Sequence, residues 1–235
     1  MSNDGRRVAV VVGASSGIGR ATAELLRKQN VTTIGISRRL EDTDSTRRCD
    51  VRNEQSVERV IKNILSTFGR IDILVNCAGI ASLGGPLTLT ADEWEDVLKT
   101  NLIGSYFCCK HVIPPMRAQS YGRVVNVSSI AGRAYSRTAS VAYTCSKYAV
   151  IGLTRQLGGI YGKDGITINC VCPTHTKSEM LLANMTLPQL NELAASNPLG
   201  RLAEPHEVAE VICFLAGDSA SYVNGAVVDI NGGLL

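Results

Sequence analysis

The chain has little excess charge of either sign. Against 24 Lys and Arg stand 21 Asp and Glu, a net of +3 over 235 residues. The basic residues are scattered rather than striped, which argues against a nucleic-acid partner. No apolar run approaches the roughly 20 residues needed to cross a bilayer. Residues Met1 to Arg7 lead into the first apolar stretch without a secretory pattern, so a cytoplasmic protein with no membrane partner is expected. Histidine is scarce: His111, His175 and His206 stand apart from one another, and no metal site is expected. The eight cysteines include no C-x-x-C pair. Cys77, Cys170 and Cys172 lie in apolar stretches and read as reduced core thiols, and Cys108-Cys109 as helix packing. Linker-like and low-complexity segments are absent too. With 45% hydrophobic and 19% charged residues, residues 1–235 read as one domain with a large core.

What is present alternates. Apolar, β-branched runs at residues 8–12, 31–36, 72–76, 123–128, 166–171 and 226–229 predict strands. Helical periodicity predicts helices near 17–29, 53–68, 90–117, 142–162 and 205–217, with short helical pieces within 177–196. Between Ser37 and Cys49-Asp50, which close the second and third strands, too few residues remain for a crossover helix, and a loop or single turn is expected. Pro205 and Gly217 punctuate the last helix. The alternation predicts a Rossmann-type α/β fold, a doubly wound parallel sheet with helices on both faces. Val8–Val12 reads as a strand buried on both faces. Gly13, Gly17 and Gly19 follow at once, then a helix. Such glycines allow a tight turn and close approach to a pyrophosphate, while the helix start supplies free N–H groups and a positive dipole.

Tyr143 and Lys147 are four residues apart, which puts both on one face of a helix. A phenol titrates near ~10 and is a poor acid or base at neutral pH. A fixed cation one turn away stabilises the phenolate and equips such a tyrosine to pass a proton to or from a carbinol oxygen. Alone, the spacing is common on helix surfaces. Behind a nucleotide-type loop it carries more weight.

Taken together, these motifs resemble the short-chain dehydrogenase/reductase family over nearly the whole chain, its 3-oxoacyl reductase-like and carbonyl reductase members in particular. The family's T-G-x-x-x-G-x-G appears with Val12 in place of Thr, and its N-N-A-G as Asn76-Cys77-Ala78-Gly79. By resemblance the catalytic residues are Asn101, Ser129, Tyr143 and Lys147. The cofactor would lie against Gly13, Ser15, Ser16, Gly17, Ile18 and Gly19, then Ser37, Arg38, Asp50 and Val51. It would continue along Asn76, Ala78, Gly79, Tyr143 and Lys147 to Pro173, Thr174, Thr176 and Ser178. Asp50 is expected to meet the adenine amino group, Asn101 to hold a water linking Lys147 to solvent, and residues 173–200 to form a substrate lid. Strand alternation turns Ser128 into the sheet and leaves Ser129 for the substrate oxygen. Two departures stand out: Ser129 and Tyr143 are 14 positions apart, one more than usual, and Thr174 replaces the Gly after Pro173.

Cofactor choice follows from charge. Enzymes of this fold that use NAD(H) carry a carboxylate at the end of the second strand. Here stand Ser37, Arg38 and Arg39, which suit a 2′-phosphate, so NADP(H) is expected over NAD(H). Glu41 and Asp42 would intrude if the strand register slipped. The implied reaction is hydride transfer between NADP(H) and a carbonyl or secondary alcohol of a small molecule, a ketone or its alcohol. Arg133, Tyr135, Arg137, His175 and Lys177 lie where the family gathers substrate contacts, favouring an anionic or polyhydroxylated ketone unless they are solvated. Ser120 and Asp164 stand where ketoacyl-carrier reductases carry basic residues, which weakens a 3-oxoacyl-thioester reading. The rival classes are a non-catalytic NADP-binding sensor, disfavoured by the intact Ser, Tyr and Lys, and an extended-branch dehydratase or epimerase. Apolar residues on 90–117 (Leu102, Ile103, Tyr106, Phe107) and 142–162 (Tyr148, Val150, Ile151, Leu153), together with the family pattern, imply a homodimer or homotetramer. The apolar C-terminal run would serve as a second interface or as an inner strand.

Overall fold

A computed structural model of the chain describes residues 6–82, 85, 87–136 and 138–235. The strands are β1 (Val8–Val12), β2 (Thr32–Ser37), β3 (Thr46–Arg48), β4 (Ile73–Asn76), β5 (Gly122–Val127), β6 (Ile166–Pro173) and β7 (Val227–Ile230). They form one sheet in the order β3-β2-β1-β4-β5-β6-β7, and every neighbouring pair is parallel. The helices are α1 (Gly17–Lys28), α2 (Glu54–Phe68), α3 (Ala91–Leu98), α4 (Gly104–Ala118), α5 (Val141–Tyr161), α6 (Glu179–Asn184), α7 (Leu187–Ser196) and α8 (Pro205–Leu215).

Strand alternation divides the core in two. Val8, Val10 and Val12 pack with Val57, Ile61 and Ile64 of α2 and with Cys108 and Val112 of α4. Ala9 and Val11 face the opposite way, against Ala23 and Leu26 of α1 and Val208 and Ile212 of α8. Side chains two apart share a face, so a strand of apolar residues can fill two cores at once. Because β1 is central, its carboxyl end and that of β4 flank the point where strand order reverses, and a crevice opens there.

Three elements differ from the sequence expectation. Helix 90–117 is interrupted by a π-helical turn at Lys99–Ile103 between α3 and α4. The extra residue per turn there has no signature in the hydrophobic period. The C-terminal strand is not an inner strand: β7 ends the sheet, pairs only with β6 and is mostly half-exposed. Of the apolar residues expected on the outer faces of the two long helices, Val150 and Ile151 are buried, Phe107 packs against the first core and Leu102 against a third cluster. The connection between β2 and β3 contains no helix, as its length implied.

Candidate active site

The residues after β1 turn sharply into α1. Gly17 has φ of +51°, a conformation that favours glycine. A Cβ on Gly19 would stand 2.4 Å from the Gly13 carbonyl oxygen, so only glycine lets the helix start close against the turn. Ser16 caps α1 by position, yet its side chain makes no cap hydrogen bond and the first turn has no acidic residue. The orphan N–H groups at this helix start are therefore open to an acceptor from elsewhere.

A cavity of about 950 Å³ runs from this turn across the carboxyl ends of the strands. Gly13, Ser15, Ser16, Gly17, Ile18, Gly19, Ser37, Arg38, Val51, Ala78 and Gly79 line it, as do Ser129, Tyr143, Lys147, Pro173, Thr174, Thr176 and Ser178. Residues up to 165 positions apart in sequence thus share one wall. Three expected contacts do not line it. Asn76 is buried, donating from Nδ2 to Asn126 Oδ1 at 2.8 Å. The Asp50 carboxylate takes the Arg52 guanidinium at 2.9 Å and is held below its usual pKa first by that bond. Asn101 lies beneath the wall.

Asn101 sits in the π turn and is almost fully buried. Its Oδ1 accepts from Ile80 N at 2.8 Å, while Nδ2 donates to Ile80 O at 3.0 Å and Ser146 Oγ at 2.9 Å. It therefore clamps the loop after β4 to α5. Such π turns recur at functional sites. A Cβ on Gly79 would lie 3.4 Å from Asn101 Oδ1 and 3.5 Å from Lys147 Nζ, so both polar groups pack against the Gly79 backbone. Lys147 is 5% exposed, and its Nζ donates to Val127 O at 2.9 Å. Among the described residues no carboxylate pairs with it. Nζ stands 5.4 Å from the centre of the Tyr143 ring. Ser128 turns inward and donates to Lys147 O at 2.8 Å. Ser129 lines the cavity, its Oγ accepting from Ala131 N at 3.1 Å. The loop to Tyr143, one residue longer than usual, is tied down by Ser140, which caps α5 and meets Ser82 Oγ at 2.6 Å. The Cys77 thiol also reaches the cavity, but burial pushes its pKa up to about 12, which makes it a poor nucleophile.

At the end beside β2, Arg38 and Arg39 both line the cavity, and neither forms an ion pair among the described residues. Arg39 donates to Ser16 Oγ at 3.1 Å, and its backbone N–H to Ser37 Oγ at 3.0 Å. Glu41 and Asp42 do not line the cavity, and Asp42 instead accepts from Arg48 N. A helix start without a cap from Ser16, the glycine turn and two guanidiniums without carboxylate partners among the described residues fit a phosphorylated dinucleotide.

At the other end two of the expected basic contacts, Arg133 and Lys177, are engaged elsewhere. Arg133 forms a two-pronged bond to Asp229 at 2.9 and 3.0 Å, and Lys177 is paired with Glu204. Neither they nor Tyr135 lines the cavity, and Arg137 lies outside the described residues. His175 does line it. Burial pushes its pKa below the ordinary value, so the ring is neutral near pH 7, with Nε2 3.4 Å from Thr138 Oγ1. Thr174 shows no positive φ, so replacing the usual glycine costs no backbone strain. Sequence reasoning missed Ser82, Thr138 and Glu179. Ser82 and Thr138 sit in loops and Glu179 at the start of the short α6, and no spacing rule points to them.

Comparison with known proteins identifies the family and the fold. The family described as Enoyl-(Acyl carrier protein) reductase matches residues 13–235. Cis-4-hydroxycyclohexanecarboxylate dehydrogenase from Sinomonas cyclohexanicum is 39% identical, covering 97% of this chain and 96% of its own. A 3-oxoacyl-(acyl-carrier-protein) reductase from Vibrio cholerae is 35% identical over 97% of each. Among solved structures, an actinorhodin polyketide ketoreductase variant with NADPH superposes with a TM-score of 0.93 at 30% identity, covering 100% of this chain and 99% of that one. The sequence match and the shared fold lead to one conclusion: the chain belongs to the short-chain dehydrogenase/reductase family of oxidoreductases.

Proposed function

We propose that the protein is an NADP(H)-dependent oxidoreductase acting on a carbonyl or secondary alcohol of a small, uncharged molecule. The observation that carries this reading is the placement of Ser129, Tyr143 and the buried Lys147 on the cavity that begins at the glycine turn. When bound, the nicotinamide supplies or accepts the hydride. Ser129 Oγ holds the substrate oxygen, and Tyr143 passes the proton to or from it. Lys147 offsets the negative charge that develops on the phenol oxygen, and Asn101 fixes the loop and helix that frame the pair. Residues 173–200 act as the lid. Charge supports this substrate class: Arg133 and Lys177 are already paired, and among the described residues the unpaired cation near Tyr143 is Lys147, which serves the phenol oxygen. The thioester-carrier reading is further weakened because Asp164 pairs with Arg117 at 2.9 Å.

A panel of cyclic ketones, diketones and sugars, each matched with a carboxylated analogue, tests this. We expect kcat/KM to favour the uncharged member of each pair by about tenfold or more, since a buried carboxylate would go unpaired. Consistent preference for the carboxylates would refute the substrate class. Absence of NADPH oxidation with every compound would refute the function.

The same reading includes self-association through the π turn, α4 and α5, where Ile103, Tyr106 and Tyr148 are 37%, 43% and 49% exposed. Self-complementary patches of this kind close through two-fold axes. Light scattering during gel filtration is expected to give a multiple of 25.1 kDa. A monomer at concentrations where the protein is active would exclude it.

A further inference from the structure

The open start of α1 has an occupant. Ser16 Oγ accepts from the Arg39 guanidinium rather than from its own helix. The uncapped N–H groups there carry partial positive charge. A residue 162 positions away meets it: Glu179 Oε2 accepts from Gly17 N at 2.8 Å. Its other oxygen, Oε1, lies 2.8 Å from Arg20 Nη2. Glu179 opens α6, and the neighbouring Ser178, Met180 and Leu181 share the cavity wall. The seat is tight, since a Cβ on Gly17 would stand 3.1 Å from Ser178 Cβ.

We propose that Glu179 is an internal competitor for the dinucleotide's diphosphate, a latch that holds α6 on the start of α1 and that cofactor entry must release. The inference rests on the cofactor reading above. A diphosphate seated on the start of α1 would need the N–H group that the carboxylate holds, and two anions competing for it repel. Exchange conserves the partners: the Gly17 N–H and the Arg20 guanidinium, now serving a carboxylate, suit a phosphate equally well. Cofactor binding is thereby coupled to movement of α6, because the ligand favours the state in which Glu179 has left. The same residue that settles the lid weakens the affinity for the ligand beneath it.

The test is a fluorescence titration of the full chain with NADPH, comparing wild type with Glu179→Gln and Glu179→Ala. The first keeps the shape and removes the charge. Both variants are expected to bind NADPH about tenfold more tightly, the scale of a charge at a helix start. Adenosine 2′-monophosphate, which has no diphosphate, is expected to bind all three proteins alike. Amide hydrogen exchange at residues 179–184, measured without cofactor, is expected to be faster in the variants. Unchanged or weaker NADPH binding in the variants, with normal binding by wild type, would overturn the latch alone. If wild type and variants all fail to bind NADPH, the cofactor reading falls and the latch with it.

Discussion

Replacing Tyr143 with Phe is expected to lower kcat by about 10²–10⁴-fold, the usual cost of losing a positioned general acid, while NADPH binding stays nearly unchanged. The substitution removes one oxygen and keeps the ring. The bonds that hold this part of α5 are made by the backbone: Tyr143 N donates to Ser140 Oγ at 3.2 Å, and Tyr143 O accepts from Ser146 Oγ at 2.6 Å. Both survive in the variant. Lys147 keeps its bond to Val127 O, so its charge remains at the site with no phenol oxygen to act on. Steady-state kinetics, with cofactor fluorescence as the binding control, read the two effects separately. Retention of most activity would overturn the proton-transfer role of Tyr143.

Cofactor preference is the second large effect. The double substitution Ser37→Asp with Arg38→Leu is expected to lower the ratio of kcat/KM for NADPH over NADH by about 10²-fold, through repulsion of the 2′-phosphate and loss of a charge-assisted bond. The structure supports the geometry, because Ser37 Oγ already accepts from the Arg39 backbone and an aspartate can take over that bond. It also indicates why the swing stops short of complete. Arg39 stays on the cavity wall, tethered to Ser16 Oγ, and Arg39→Leu in addition is expected to extend the change. A wild-type protein that prefers NADH in side-by-side kinetics would show that the two arginines do not read a 2′-phosphate.

Much of the fold was legible from local pattern. Val8–Val12 announced a strand buried on both sides because all its residues are apolar, and the structure places alternate members in separate cores. The turn into α1 was legible because steric demand selects glycine there. Ser128 and Ser129 were separable because neighbouring side chains on a strand point opposite ways. The π turn at Asn101 was not legible, since a single extra residue leaves the helical period intact on both sides. Nor was the burial of Val150 and Ile151, because apolar content does not say which helix face meets the sheet.

By itself the sequence determined which groups are within reach of one another through short-range geometry: the phenol and ammonium one helical turn apart, the glycine turn before a helix start, and the serine pair on a strand end. These follow from 3.6-residue and 2-residue periods and need no partner element. Only the tertiary structure decided which charges are free. Arg133 finds Asp229 across 96 positions, Lys177 finds Glu204, and Glu179 reaches Gly17 across 162. An ionic or hydrogen-bonded pair forms wherever opposite groups arrive together, and arrival depends on how strands and helices are ordered in space. That ordering turned expected substrate-binding cations into paired ones, and placed an unremarked glutamate on the helix start proposed here to hold the cofactor.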